Sequence, residues 1–83
     1  TVSIGIMPDY TYAGSGVRAD AIIDGKLAQH VGVIPGDVIV KLGDFKVTDI
    51  NNYMTTLSKF KKGDATKLTI IRGVNEMNFD IVF

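Results

Sequence analysis

The stretch Gly32–Asp44, GVIPGDVIVKLGD, limits what this chain can become more than any other. A glycine able to end a short helix in the left-handed conformation is followed by a Pro35-Gly36-Asp37 turn and then by the apolar run Val38, Ile39, Val40 and Leu42. Gly43-Asp44 closes that run with a dipeptide suited to a second reversal. A strand bounded so abruptly at both ends belongs at the centre of a small β-rich domain.

The rest of the chain must be organised around that strand, and 83 residues leave room for one domain. Such a chain buries roughly two thirds of its unfolded surface, so its core is small. Residues 1–83 read as a single unit cut from a longer protein, because strand-like sequence starts almost at once. The formal net charge is zero and 22% of residues are charged, which argues against nucleic-acid and membrane-surface binding. Nothing approaches the roughly 20 apolar residues of a membrane span. With no cysteine, disulfides and thiolate metal sites are excluded, while the compartment stays open.

From Val2 to Tyr12, Val2, Ile4, Ile6, Pro8, Tyr10 and Tyr12 stand at alternate positions, a period that predicts a strand. Proline lacks an N–H, so Ile4, Ile6 and Pro8 are expected to turn their backbone polar groups toward an open sheet edge. Ala13 to Gly16 predicts a hairpin loop and Val17 to Ile23 the returning strand. The run from Gly14 to Ala19 fits a loose GxGxxA dinucleotide pattern, but that chemistry needs a helix N-terminus, and β-branched residues follow instead. Lys26 to Val31 predicts a short helix with Asp24 as N-cap and Gly32 as terminator. Lys46-Val47 can add a short strand. Asp49 then caps the one substantial helix, on which Ile50, Tyr53, Met54, Leu57 and Phe60 share a face and Lys59, Lys61 and Lys62 favour the C-terminal dipole. Lys67–Arg72 and Met77–Phe83 predict a terminal hairpin. Val38, Ile39, Leu42, Leu57, Ile70 and Phe79 are the expected core.

Three segments carry a resemblance. Ser3-Ile4-Gly5-Ile6 is similar to an x-Φ-G-Φ carboxylate-binding loop, AQHVGVIPGDVI (Ala28–Ile39) to an A-x-x-x-G-x-x-x-G-D-x-I core signature, and Tyr53–Leu57 to a groove helix. The chain resembles a PDZ domain in the circularly permuted, bacterial arrangement. That implies a mainly β fold with two helices: a partly open β-barrel or sandwich of five to six strands, capped by one short and one longer helix. Leu27 departs from the proline often found there. SIGIMPDY and KFKKGD resemble in particular the PDZ domains appended to secreted zinc aminopeptidases and, more distantly, those of trypsin-like quality-control proteases. An exported bacterial setting, periplasmic or extracellular, is expected from the resemblance alone.

The resemblance implies that a peptide C-terminus adds as a strand in the groove between the Ile4–Pro8 edge and the Asp49–Phe60 helix. The N–H groups of Ile4, Gly5 and Ile6 would hold the carboxylate. Ile6, Met54 and Leu57 would line the pocket for the last side chain, with Ile50 further along and Pro8 withholding one backbone donor. Read without the resemblance, the Ile50, Met54, Leu57 stripe is core. Lys59 to Lys62 could offset a ligand carboxylate, although such a cluster is more often a solvated helix end. Catalysis has no support: His30 stands alone, Ser3, Ser15 and Ser58 lack nucleophile context, and no metal or cofactor is implied in this domain. Two functions follow. One is a peptide-binding module, regulating or targeting a linked bacterial peptidase, whose partners are peptide C-termini or extended protein segments. The other is a structural interface whose groove is filled by the parent chain or a partner subunit.

Overall fold

In the computed structural model, which describes residues 2–83, the Pro35-Gly36 corner is locked by three sets of hydrogen bonds. Asp37 N–H donates to Ile34 C=O at 3.1 Å across the turn, and Gly36 takes φ +95°, which a residue with a Cβ rarely adopts. The Asp37 carboxylate turns inward, 1% exposed. It accepts the Ile34 N–H at 2.9 Å and both prongs of the Arg72 guanidinium, Nε to Oδ1 at 2.9 Å and Nη2 to Oδ2 at 2.8 Å. Arg72 Nη2 also donates to Gly32 C=O at 3.0 Å. Nothing in the local sequence predicts this pair, since its members lie far apart in the chain.

The elements run β1 (Ile6–Pro8), β2 (Val17–Ile22), α1 (Leu27–Val31), β3 (Val38–Leu42), β4 (Phe45–Lys46), α2 (Ile50–Leu57), β5 (Ala65–Arg72) and β6 (Asn75–Val82). The sheet order is β1-β2-β3-β5-β6, all neighbours antiparallel, with β4 attached to β3. Six strands in an open sheet with two helices match the expected fold class, and β3 is central. Ile4, Ile6, Val17, Ile39, Leu42, Val47, Tyr53, Leu57, Leu68, Ile70 and Ile81 form most of the core. Of the predicted core, Val38 and Phe79 are only half-buried.

Side-chain hydrogen bonds make several local details differ from the sequence expectations. The first strand shortens to Ile6–Pro8 because Asp9 folds back: its Oδ1 accepts the Thr11 N–H at 2.9 Å and the Thr11 hydroxyl at 2.6 Å, and its Oδ2 pairs with Arg18 at 2.8 Å. Those bonds, the Thr11 hydroxyl foremost, hold the Asp9 carboxyl below its ordinary value. Asp24 is not the N-cap of α1. Lys26 occupies that position, and Asp24 instead accepts from the Gln29 amide at 3.0 Å. Asp49 does cap α2, taking the Asn52 N–H at 2.7 Å. The helix stops at Leu57 with Ser58 as C-cap, so the lysines lie beyond its last turn rather than in it.

Burial pushes the Asp37 carboxyl up, but the Arg72 fork and the Ile34 amide outweigh it and hold the group below its usual range. A carboxylate depressed on folding stabilises fully above its unfolded value, and that stability is lost as pH falls through the folded one. Asp37→Ala should cost roughly 1–3 kcal/mol in urea denaturation, since it removes the charged acceptor of the Arg72 fork and leaves the Ile34 N–H without its partner. The variant should also lose less stability than the parent between about pH 5 and about pH 2.

Candidate functional site

The β1 edge is built from backbone parity. Ile23 N–H donates to Gly5 C=O at 2.9 Å, so the Gly5 C=O faces β2 and the next pair, Ile6 and Ile22, points its backbone groups the other way. A register shift between Met7 and Pro8, followed by the Asp9 N–H to Arg18 C=O bond at 2.8 Å, leaves Pro8 pointing outward as well. The open edge thus offers the Ile6 N–H and C=O and the Pro8 C=O, with one donor missing at Pro8. Ile4 behaves differently from expectation: its C=O is taken by the Ala28 N–H at 2.7 Å, while its N–H has no acceptor among the described residues.

Gly5 is required where it stands. Its φ is +82°, and a Cβ there would lie 2.1 Å from the Lys26 Cβ, inside that side chain's stem. Its N–H donates to the Ser3 hydroxyl at 3.1 Å, so of the three amides that the sequence singles out, this one already has a partner. Beside it lies a cavity of about 410 Å³ lined by Val2, Ser3, Gly5, Ile23, Lys26, Lys62 and Phe83. Of the lysine cluster, Lys62 reaches this cavity, whereas Lys59 lies over the Phe45 ring at 5.2 Å. Sequence reading missed Lys26 and Ser3; the residue that a glycine packs against leaves no local signal.

The side chains of the α2 stripe divide. Leu57, 4% exposed, and Tyr53 join Ile6 in the core, Ile50 packs against that core, and Met54 stands out at 51% exposed. Ile6 therefore brings its backbone, not its side chain, to the edge. At the other end of α2 a cavity of about 310 Å³ is lined by residues of the Asp9–Gly16 loop together with Asp49, Ile50 and Asn51. Among the described residues no group of three or more His, Cys, Asp or Glu comes together, and no helix is long and apolar enough to cross a membrane.

The family model for a PDZ domain matches residues 2–82. The chain belongs to the PDZ family. As a PDZ domain it is a non-catalytic binding module, and the fold has counterparts among solved structures. The HtrA-type protease AlgW, solved with a decapeptide, is 16% identical with a TM-score of 0.83, over 94% of this chain and 27% of that one. The HtrA3 PDZ domain, bound to the phage-derived ligand FGRWV, is 19% identical with a TM-score of 0.80, over 96% and 83%. A serine endoprotease from Yersinia pestis is 17% identical with a TM-score of 0.74, over 93% and 28%. This PDZ domain thus spans about a quarter of the length of the whole proteases it resembles. No curated protein matches the sequence.

The division of the stripe gives a test by substitution. Leu57→Ala should destabilise this PDZ domain by roughly 2–5 kcal/mol in urea denaturation. Met54→Ala should change stability by less than about 0.5 kcal/mol.

Proposed function

We propose that this PDZ domain binds peptides, accepting a C-terminus or an extended segment as a strand along β1, between Ile4–Pro8 and the Asp49–Phe60 segment. The observation that carries the reading is the outward-facing Ile6 backbone beside a glycine-built loop on a chain of this family. Main-chain bonds along the edge supply affinity, and side-chain positions supply specificity. The Ile4 and Ile6 amides meet the carboxylate, and the Gly5 amide joins them once the Ser3 hydroxyl swings away. Met54 is the α2 residue free to touch the ligand, and methionine adapts to several apolar shapes. Ile50 flanks it, and Leu57 backs the pocket from the core side. AlgW and the HtrA3 PDZ domain were both solved with peptides, which supports a peptide as the partner class.

We further propose that the parent is an exported bacterial peptidase, which the domain regulates or targets. The likeness to HtrA-type proteases favours a serine-protease parent; the zinc aminopeptidase suggested by SIGIMPDY and KFKKGD has no counterpart among the structures named above. The isolated chain should hydrolyse none of the peptides it binds, checked by mass spectrometry after long incubation with and without added zinc.

Peptides with a free apolar C-terminal residue should bind better than the same peptides amidated, because amidation removes the charge and one acceptor. Affinity should be modest, and Pro8→Val should strengthen it about five-fold by restoring one backbone donor. NMR titration decides: shifts at Ile4, Gly5, Ile6 and Met54 support the peptide-binding reading. Silence at all of them would favour the structural interface, with the groove filled by the parent chain or a partner subunit.

A further inference from the structure

The sheet has a second edge, β6, which takes no part in the groove proposed above. β6 pairs with β5 through eight consecutive residue pairs, Ala65 with Val82 through Arg72 with Asn75, without a bulge. Two bonds fix which way its backbone points. Lys67 C=O accepts from Gly43 N–H at 2.7 Å, so Lys67 faces β3, and Phe83 N–H donates to Asp64 C=O at 2.9 Å. By the alternation of an antiparallel ladder, the N–H and C=O groups of Glu76, Asn78, Asp80 and Val82 then project away from the sheet. Among the described residues β6 pairs with β5 alone, and no turn, loop or cap bond reaches these groups.

Exposed edges are usually blunted by proline, lysine or a bulge. β1 carries Pro8 and a register shift; β6 carries neither. Its outward positions hold two acids instead, Glu76 and Asp80, on the solvent face either side of Asn78. The Asp80 side chain is 90% exposed, and its one ionic contact among the described residues is Lys67 at 3.7 Å. The opposite face of the strand is apolar, with Met77 and Phe79 half-buried and Ile81 in the core. A second copy of this chain pairing antiparallel about Asn78 would set Glu76 against Asp80, a like-charge cross-strand pair that opposes association.

We propose that the β6 edge is a second strand-addition site, and that it takes an extended polypeptide segment in which Lys or Arg alternates with apolar residues. The four outward residues supply an unbroken row of main-chain donors and acceptors, which β1 cannot offer past Ile6. Basic side chains on the solvent face stand opposite or diagonal to Glu76 and Asp80. The alternate apolar side chains fall on the Met77–Phe79 side. Each opposite-charge cross-strand pair should strengthen binding by up to about five-fold.

The test uses hexapeptides of alternating Lys and Val, and of alternating Glu and Val, with both ends blocked so that no free carboxylate can engage the Gly5 loop. With the Lys-Val peptide, amide shifts and slowed hydrogen exchange are expected at Glu76, Asn78, Asp80 and Val82, weakening as salt is raised. The double variant Glu76→Lys, Asp80→Lys should bind it at least ten-fold more weakly, and Glu76→Gln, Asp80→Asn several-fold. An equal response to the Glu-Val peptide, a response confined to Ile6, or none at all would overturn the proposal. So would protection of the four amides that grows with protein concentration in the absence of peptide, which would identify a second copy as the occupant.

Discussion

The ion pair between Asp37 and Arg72 is the constraint on which the arrangement of this domain rests. A nearly buried carboxylate is costly to desolvate, and here the cost is offset by a bidentate guanidinium and one backbone amide. The same guanidinium holds Gly32 C=O, so one side chain from the end of β5 pins both the end of α1 and the start of β3. The consequences run along the chain. With α1 placed, the Ala28 N–H meets Ile4 C=O, and Lys26 lies against Gly5. The loop around Gly5 is thus positioned through a pair of charges that make no hydrogen bond to it.

The two sheet edges solve the same problem in different ways. Unpaired strand backbone is a template for association, and each edge must admit the right strand while refusing others. At β1 the refusal is covalent: Pro8 has no N–H, and a bulge breaks the register beside it. At β6 the backbone is regular, and selection falls to charge, with Glu76 and Asp80 discouraging acidic strands and a second copy of the chain. The short edge sends its Ile6 side chain into the same core as Tyr53 and Leu57 of α2. The long edge has little but its ladder and its charges.

Much was legible in the residues because local chemistry decided it. The Pro35-Gly36-Asp37 turn, the central strand, the Asp49 cap and the terminal hairpin each rest on propensities that act within a few residues. The helical stripe was legible only in part. A spacing of i, i+4, i+7 puts Ile50, Met54 and Leu57 on one side of a helix, but a helix that stops after two turns buries only part of that side. Leu57 and Tyr53 entered the core while Met54 stayed in solvent, because the depth of a stripe depends on what packs against it. Asp24 looked like a cap for the same local reason that Asp49 was one; the Gln29 amide captured it first.

The sequence by itself determined the element types, their order, the β-rich class and the family resemblance, since these follow from periodicity, turn chemistry and motif. The tertiary structure decided which polar groups are free. That Ile4 C=O is spent on α1, that the Ser3 hydroxyl holds the Gly5 amide, that Lys62 and Lys26 meet at one cavity, and that β6 keeps a full row of open backbone groups all depend on strand register and on contacts between distant residues. A hydrogen bond is satisfied or left open by geometry between segments, and a one-residue change of register reverses every backbone group along a strand.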